Sequence, residues 1–95
     1  MDGRAFGVYW NFVEKQRQLI IELEAQTLEL EHRYTEAWFE TTAMGQEGAT
    51  AEDKQEATIN LEHAIEQLRA ARLALKTAQR RLPLFEKTLD QYTPT

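Results

Sequence analysis

The sequence predicts an all-α fold, an antiparallel helical hairpin of two long helices packed in a coiled-coil-like way. Three observations lead to this prediction. Apolar residues recur at heptad spacing on both sides of one glycine-containing segment, good helix formers dominate the composition, and the 95 residues include only two prolines and four glycines. Because a short connection makes two helices antiparallel neighbours, residues 1–95 are predicted to form a single hairpin domain.

The first helix is predicted over about residues 3–44, where two columns of residues repeat every seven positions. A period of seven keeps one seam of a helix against a partner helix. The first column is Phe6, Val13, Ile20, Thr27, Tyr34 and Thr41, and the second is Tyr9, Gln16, Leu23, Leu30, Ala37 and Met44. These residues are therefore expected to form the inner side of the first helix.

The turn is predicted at residues 45–50, which contain two of the four glycines. Gly45 follows the last residue of the periodic run, and glycine at this place is a common helix stop. Thr50 and Asp53 have the spacing of a capping box, in which an N-cap hydroxyl and an acid at N3 satisfy each other's backbone N–H groups. A second helix should therefore begin at about residue 51.

The second helix is predicted over about residues 51–92. Its first column is Leu61, Leu68, Leu75, Leu82 and Leu89, and its second is Ala57, Ala64, Ala71, Ala78, Phe85 and Tyr92. Small alanines let the two backbones approach closely, so that larger side chains of the first helix can fill the space. Pro83 removes a backbone hydrogen bond and predicts either a kink near Leu82 or a full break. The final Thr-Pro-Thr is expected to fray.

More apolar residues are present than one seam can bury. Ile21, Ala25, Leu28 and Phe39 lie on another face of the first helix, and Ile59, Ala70, Leu73 and Leu84 do the same on the second. Two additional stripes at helical spacing predict a second contact surface, used by a homodimer that forms a four-helix bundle or by a different protein. The predicted interface residues are Tyr9, Trp10, Phe12, Ile21, Leu28, Trp38, Phe39, Leu73, Leu84 and Phe85.

The apolar segment GVYWNFV, residues 7–13, contains residues of the predicted seam and residues that flank it. Tyr9 and Val13 belong to the seam, whereas Trp10 and Phe12 flank it. Trp10 is nevertheless expected to contribute to the core near the termini, together with Phe85. Val8 belongs to neither group, so it is expected to be buried by a partner.

Charge is segregated along the chain, which carries a net charge of −5. Residues 22–66 contain twelve acids and two bases, whereas residues 67–95 contain six bases and two acids. A hairpin would place the acids at the end that contains the turn. The opposite end, where the termini lie, would be mildly basic and rich in aromatic residues. The acidic end could steer a basic partner, maintain solubility, or mimic nucleic-acid charge and so inhibit a nucleic-acid-binding protein.

Two histidines give the only metal-like pattern. Glu29 and His32 form Glu-x-x-His, and His63 and Glu66 form the reverse spacing. In the predicted hairpin, the numbers of two residues at the same level on the two helices should sum to about 94 or 95. His32 would then lie level with His63, and Glu29 with Glu66. A dimer would then gather two such sets, as in carboxylate-bridged di-metal bundles, so a metal-binding four-helix bundle is an alternative. Since such pairs arise by chance in Glu-rich helices, no metal or other cofactor is assigned.

The remaining observations predict a non-enzymatic interaction or assembly protein. Serine and cysteine are absent, as are a phosphate-binding loop and any nucleic-acid reading motif, so neither catalysis nor direct nucleic-acid binding is expected. The sequence contains no run of 18 apolar residues, so no membrane-spanning segment is predicted. A cytoplasmic location is predicted, in a cell or an infected host. Adaptors, inhibitors and structural subunits, including those of phages and mobile elements, fit this description equally well.

Overall fold

The computed structural model describes residues 3–45 and 48–92. Within these ranges the chain forms two helices, α1 (Gly3–Ala43) and α2 (Ala51–Gln91), which pack against each other as an antiparallel hairpin. The predicted all-α helical hairpin is confirmed, and the helix ends lie within one residue of the prediction. Part of the turn and the Thr-Pro-Thr tail lie outside the described residues. Internal contacts divide the hairpin into two compact units, unit 1 (Met1–Glu24 with Leu73–Thr95) and unit 2 (Ala25–Arg72).

The start of α2 is fixed by the predicted capping box. The Asp53 backbone N–H donates to the Thr50 hydroxyl at 3.1 Å, and the Thr50 N–H donates to the Asp53 carboxylate at 3.4 Å. Both groups would otherwise lack a partner, because the first turn of a helix has no preceding carbonyls. Gly48, just before this cap, has a φ of 99°, which side-chain-bearing residues rarely adopt. The local sequence thus determines where the second helix begins.

The seam between α1 and α2 consists of the predicted heptad columns. Every residue of the four columns is buried or half-buried. In unit 2, Leu30, Leu68 and Ala71 form a buried cluster against which Tyr34 packs. In unit 1, Val13 is completely buried and Leu89 is 8% exposed. The leucine and alanine columns therefore provide the apolar burial that holds each unit together.

Threonines occupy part of the seam without leaving buried polar atoms unsatisfied. Thr41 donates from its hydroxyl to the Ala37 carbonyl at 2.9 Å, and the same hydroxyl lies 3.2 Å from the Ala57 carbonyl across the seam. A helical threonine commonly bonds the carbonyl four residues earlier, so this side chain enters the seam at little cost. Among the described residues, no buried side-chain nitrogen or oxygen lacks a hydrogen-bond partner.

Pro83 does not end the second helix. α2 continues through Pro83 to Gln91, so the predicted full break is wrong. Proline cannot donate to the carbonyl of Gln79 four residues earlier. Both residues lie on the exposed side of α2, where water can satisfy that carbonyl, so the missing bond does not leave a buried unpaired group.

The residues that contact each other across the seam have larger number sums than those predicted for level positions. In unit 2, Thr41 meets Ala57 and Glu31 meets Arg72, pairs whose numbers sum to 98 and 103 rather than 94 or 95. Helical side chains lean towards the N-terminus of their own helix. In an antiparallel pair, each contacting residue therefore lies closer to the C-terminus of its own helix than the residue that is level with the contact. This shift raises the sum of the two residue numbers.

Candidate interaction surfaces

The second apolar stripes of both helices are exposed in the structure. All eight of their residues lie outside the seam on the accessible surface. The larger members include Leu28, Phe39, Leu73 and Leu84, which are 68%, 67%, 67% and 64% exposed. Isolated exposed leucines are ordinary in proteins, but a stripe at helical spacing is characteristic of a contact surface.

Most of the predicted interface residues are accessible. Exposed are Trp10, Phe12, Ile21, Leu28, Trp38, Phe39, Leu73 and Leu84. Tyr9 and Phe85 are half-buried and contact other aromatic residues of unit 1. These two side chains pack within the hairpin, as Phe12 also does in part, and the other seven remain available to a partner.

The aromatic residues of unit 1 form a continuous cluster across the two helices. Phe12 and Phe85 pack edge to face with ring centroids 5.0 Å apart, and Tyr9 lies 5.5 Å from Tyr92 and 5.7 Å from Phe12. Such tilted and edge-on arrangements are the favourable geometries of aromatic pairs. The prediction that Trp10 lies in this core is wrong, because its side chain is 44% exposed. Position 10 follows Tyr9 by about 100° around the helix, which turns it away from the seam.

An ion-pair group lies beside the aromatic cluster in unit 1. Arg17 on α1 donates one guanidinium N–H to Glu86 of α2 at 2.9 Å and another to Glu14 on its own helix. The two carboxylates raise the pKa of Arg17, chiefly through the hydrogen bond to Glu86. The heptad columns do not identify this link, because it depends on the register between the helices.

In unit 2, α1 presents a patch that combines exposed apolar groups with a carboxylate. We define the α1 patch as Leu28, His32, Glu36 and Phe39, which follow one another at spacings of four, four and three. His32 lies 3.1 Å from the Glu36 carboxylate, and Trp38 packs edge-on against Phe39 with ring centroids 6.0 Å apart. The result is an accessible surface with two apolar ends and a polar, acid-containing centre.

In unit 1, α2 presents a patch of the opposite charge. We define the α2 patch as Leu73, Lys76, Arg80 and Leu84, at spacings of three, four and four. All four residues are exposed. Neither basic side chain has a carboxylate within ion-pair distance among residues 3–45 and 48–92. Two exposed leucines thus lie on either side of two cationic side chains that form no ion pair within the described ranges.

Two of the four candidate metal ligands pair with other side chains of α1. Glu29 pairs with Arg33 at 2.8 Å, whereas His32 pairs with Glu36. His63 lines a shallow depression together with Glu36 and Glu40. In the described part of the chain, no three His, Asp or Glu side chains could together hold a metal ion.

The charge of each unit follows from the sequence. Unit 2 contains ten acids and four bases, a net charge of −6, and unit 1 contains seven bases and six acids, a net charge of +1. The basic strip consists of Arg69, Arg72, Lys76, Arg80 and Arg81. Within this strip, Arg72 is paired with Glu31 at 3.2 Å. Arg69 and Arg72 of this strip belong to the acidic unit 2, whereas the other three bases belong to unit 1.

Comparisons with known proteins do not assign a family. The chain matches no protein-family model, and neither the curated proteins nor the solved structures include one that matches it. Of the helices in the described ranges, neither has the combination of length and hydropathy that crossing a lipid bilayer demands. Any functional conclusion consequently depends on the surfaces described above.

Proposed function

We propose that this chain is a non-enzymatic protein–protein interaction module that acts as a homodimer through its exposed apolar and aromatic surfaces. One observation carries the proposal: two stripes of large apolar side chains remain accessible although the seam is complete. The four main members of these stripes are each about two-thirds exposed. Covering such side chains is favourable, at about 25 cal/mol per Å² of apolar area removed from water.

The thin core of a two-helix hairpin supports the same proposal. Two helices can bury only one side each, and the described cores of both units are narrow. A four-helix bundle adds a second buried side to every helix, which is the common way for long amphipathic helices to complete a core. Closed two-fold dimers are the commonest oligomers, so a second copy is the simplest partner for such a surface.

Sedimentation equilibrium over low-micromolar to near-millimolar concentrations tests the proposal. We expect the wild-type chain to dimerise reversibly and the Phe39→Asp variant to remain monomeric, because the substitution would bury a charge. Gln26→Asp is the matched control, since it places the same residue at an exposed position of α1 outside the stripe. Circular dichroism at 222 nm verifies that both variants retain their helices.

The outcomes discriminate between the possible partners. A wild-type chain that stays monomeric throughout this range refutes the homodimer and leaves the stripes to a different protein. If Phe39→Asp dimerises as well as Gln26→Asp, association does not use the exposed stripe, and the observation carrying the proposal loses its force.

A further inference from the structure

The α1 patch and the α2 patch have the same apolar spacing. Leu28 and Phe39 are eleven residues apart on α1, and Leu73 and Leu84 are eleven residues apart on α2. Eleven residues make about three helical turns and a length of about 16 Å, so each pair faces one direction. These four are among the most exposed large apolar side chains of the described residues. Two parallel helices placed side by side could therefore bring both apolar pairs into contact at once.

The residues between these apolar pairs carry complementary charge. On the α2 patch, Arg80 lies seven residues after Leu73, and its guanidinium has no carboxylate partner in the described part of the chain. On the α1 patch, Glu36 lies eight residues after Leu28, and its side chain is 63% exposed. Parallel alignment of the two patches brings Arg80 and Glu36 to nearly the same level, where an ion pair can form.

We infer that the α1 patch of one copy docks on the α2 patch of a second copy, so that Leu28 contacts the partner's Leu73 and Phe39 contacts the partner's Leu84. A two-fold axis repeats this contact with the roles of the copies exchanged, which gives an isologous interface. The inference rests on the proposed homodimer and adds which surfaces meet and in which direction. It also predicts an ion pair between Glu36 and the partner's Arg80.

The direction follows from the hairpin and from charge. When the two-fold axis is perpendicular to the helices, α1 of one copy is antiparallel to α1 of the other and hence parallel to the other copy's α2. In this arrangement the α1 patch, which contains Glu36, meets the partner's α2 patch, which contains Lys76 and Arg80. A contact between two copies of the α1 patch would place two Glu36 carboxylates side by side, which is unfavourable.

Cysteine cross-linking tests the contact directly, because the chain contains no cysteine of its own. Leu28→Cys and Leu73→Cys chains, carrying tags of different mass, are mixed and oxidised. We expect mainly the mixed disulfide-linked dimer, since a disulfide requires the two Cα atoms to lie within about 7 Å. Val8→Cys mixed with Leu73→Cys is the control, because Val8 is also exposed but belongs to neither patch.

Charge reversal tests the same contact without cross-linking. Arg80→Glu should weaken dimerisation about tenfold, because two ion pairs per dimer become repulsive. Combining it with Glu36→Arg should restore most of the affinity. Arg81→Glu is the matched control: it makes the same charge change one residue away, about 100° around the helix, and should alter the affinity much less.

The results separate failure of this inference from failure of the proposed function. A dimer that cross-links Leu28→Cys to itself, or that cross-links the mixed pair no better than the Val8→Cys control, overturns the surface assignment and leaves the homodimer standing. The assignment is also overturned if Arg81→Glu weakens the dimer as much as Arg80→Glu does. A chain that is monomeric at every concentration refutes both.

Discussion

Replacing Leu68 by alanine measures how much the leucine–alanine seam stabilises the hairpin. Leu68 is 5% exposed and belongs to the buried cluster with Leu30 and Ala71, against which Tyr34 packs. Leu73 provides a matched control, because it is the same residue type on the same helix but is 67% exposed. The two substitutions remove the same atoms and change helix propensity equally, so their difference reports burial.

The expected effects differ several-fold. Leu68→Ala loses the transfer free energy of a buried leucine and leaves a cavity, a combination that typically costs about 2–5 kcal/mol. A two-helix seam can close partly around the gap, so we expect the lower part of that range, about 2–3 kcal/mol. Leu73→Ala removes a side chain that is mostly in water, and we expect less than about 1 kcal/mol in the monomer.

Urea unfolding followed by circular dichroism at 222 nm gives both values. Leu68→Ala should lower the midpoint concentration while leaving the slope of free energy against urea unchanged, which indicates a change in stability alone. A loss of about 2–3 kcal/mol should also lower Tm by roughly 10–20 °C in a domain of this size. Repeating the series at several protein concentrations separates the seam from self-association. The Leu68→Ala deficit should not depend on concentration, whereas any Leu73→Ala deficit should grow with it.

Two results would refute this reasoning. If both variants lose the same free energy at low protein concentration, the seam is not the main source of stability in unit 2. If Leu68→Ala loses less than about 1 kcal/mol, the cluster around Leu68 is too loosely packed to count as a core.

Three further predictions concern local features and can be measured by the same urea unfolding. Thr50→Ala should cost about 1 kcal/mol, because the capping box at the start of α2 is lost, and an unchanged midpoint would contradict the cap. Gly7→Ala should stabilise the helix by up to about 1 kcal/mol since an added Cβ meets no neighbouring atom, whereas Gly48→Ala should destabilise the chain because φ there is 99°. Effects of the same sign would argue against this difference in backbone conformation. Phe85→Ala should destabilise more than Trp10→Ala, since Phe85 packs on an aromatic neighbour and Trp10 is 44% exposed; the reverse order would place Trp10 in the core.

The seam and the helix ends could be predicted from the sequence because they depend on local rules. Heptad columns select the inner side of each helix whatever its partner does, and the whole leucine column from Leu61 to Leu89 is buried or half-buried. The capping box of Thr50 and Asp53 requires only residues three apart. Neither inference needs any knowledge of how the two helices are aligned.

The register could not be predicted, because it depends on side-chain direction and on the shape of the turn. Counting residues from the turn estimates which positions are level but not which side chains meet, so it did not reveal the ion pair between Arg17 and Glu86. The sequence placed Trp10 both among the interface residues and in the core, and it could not decide between the two for a related reason. Hydrophobicity indicates that a side chain favours burial, but only the orientation of the helix determines whether a residue beside the seam receives cover.

The two candidate patches differ from the seam in period, and this difference limits how far a dimer contact can extend. The seam repeats every seven residues and favours a left-handed twist of the two helices, whereas a repeat of eleven favours a slight right-handed twist. One helix cannot follow both over a long distance. The apolar spacing of eleven is accordingly used once on each patch, between Leu28 and Phe39 and between Leu73 and Leu84. A contact of about three turns is short enough that neither helix has to follow a second repeat. The proposed interface should therefore depend strongly on its four apolar side chains and on the pair of Glu36 with the partner's Arg80.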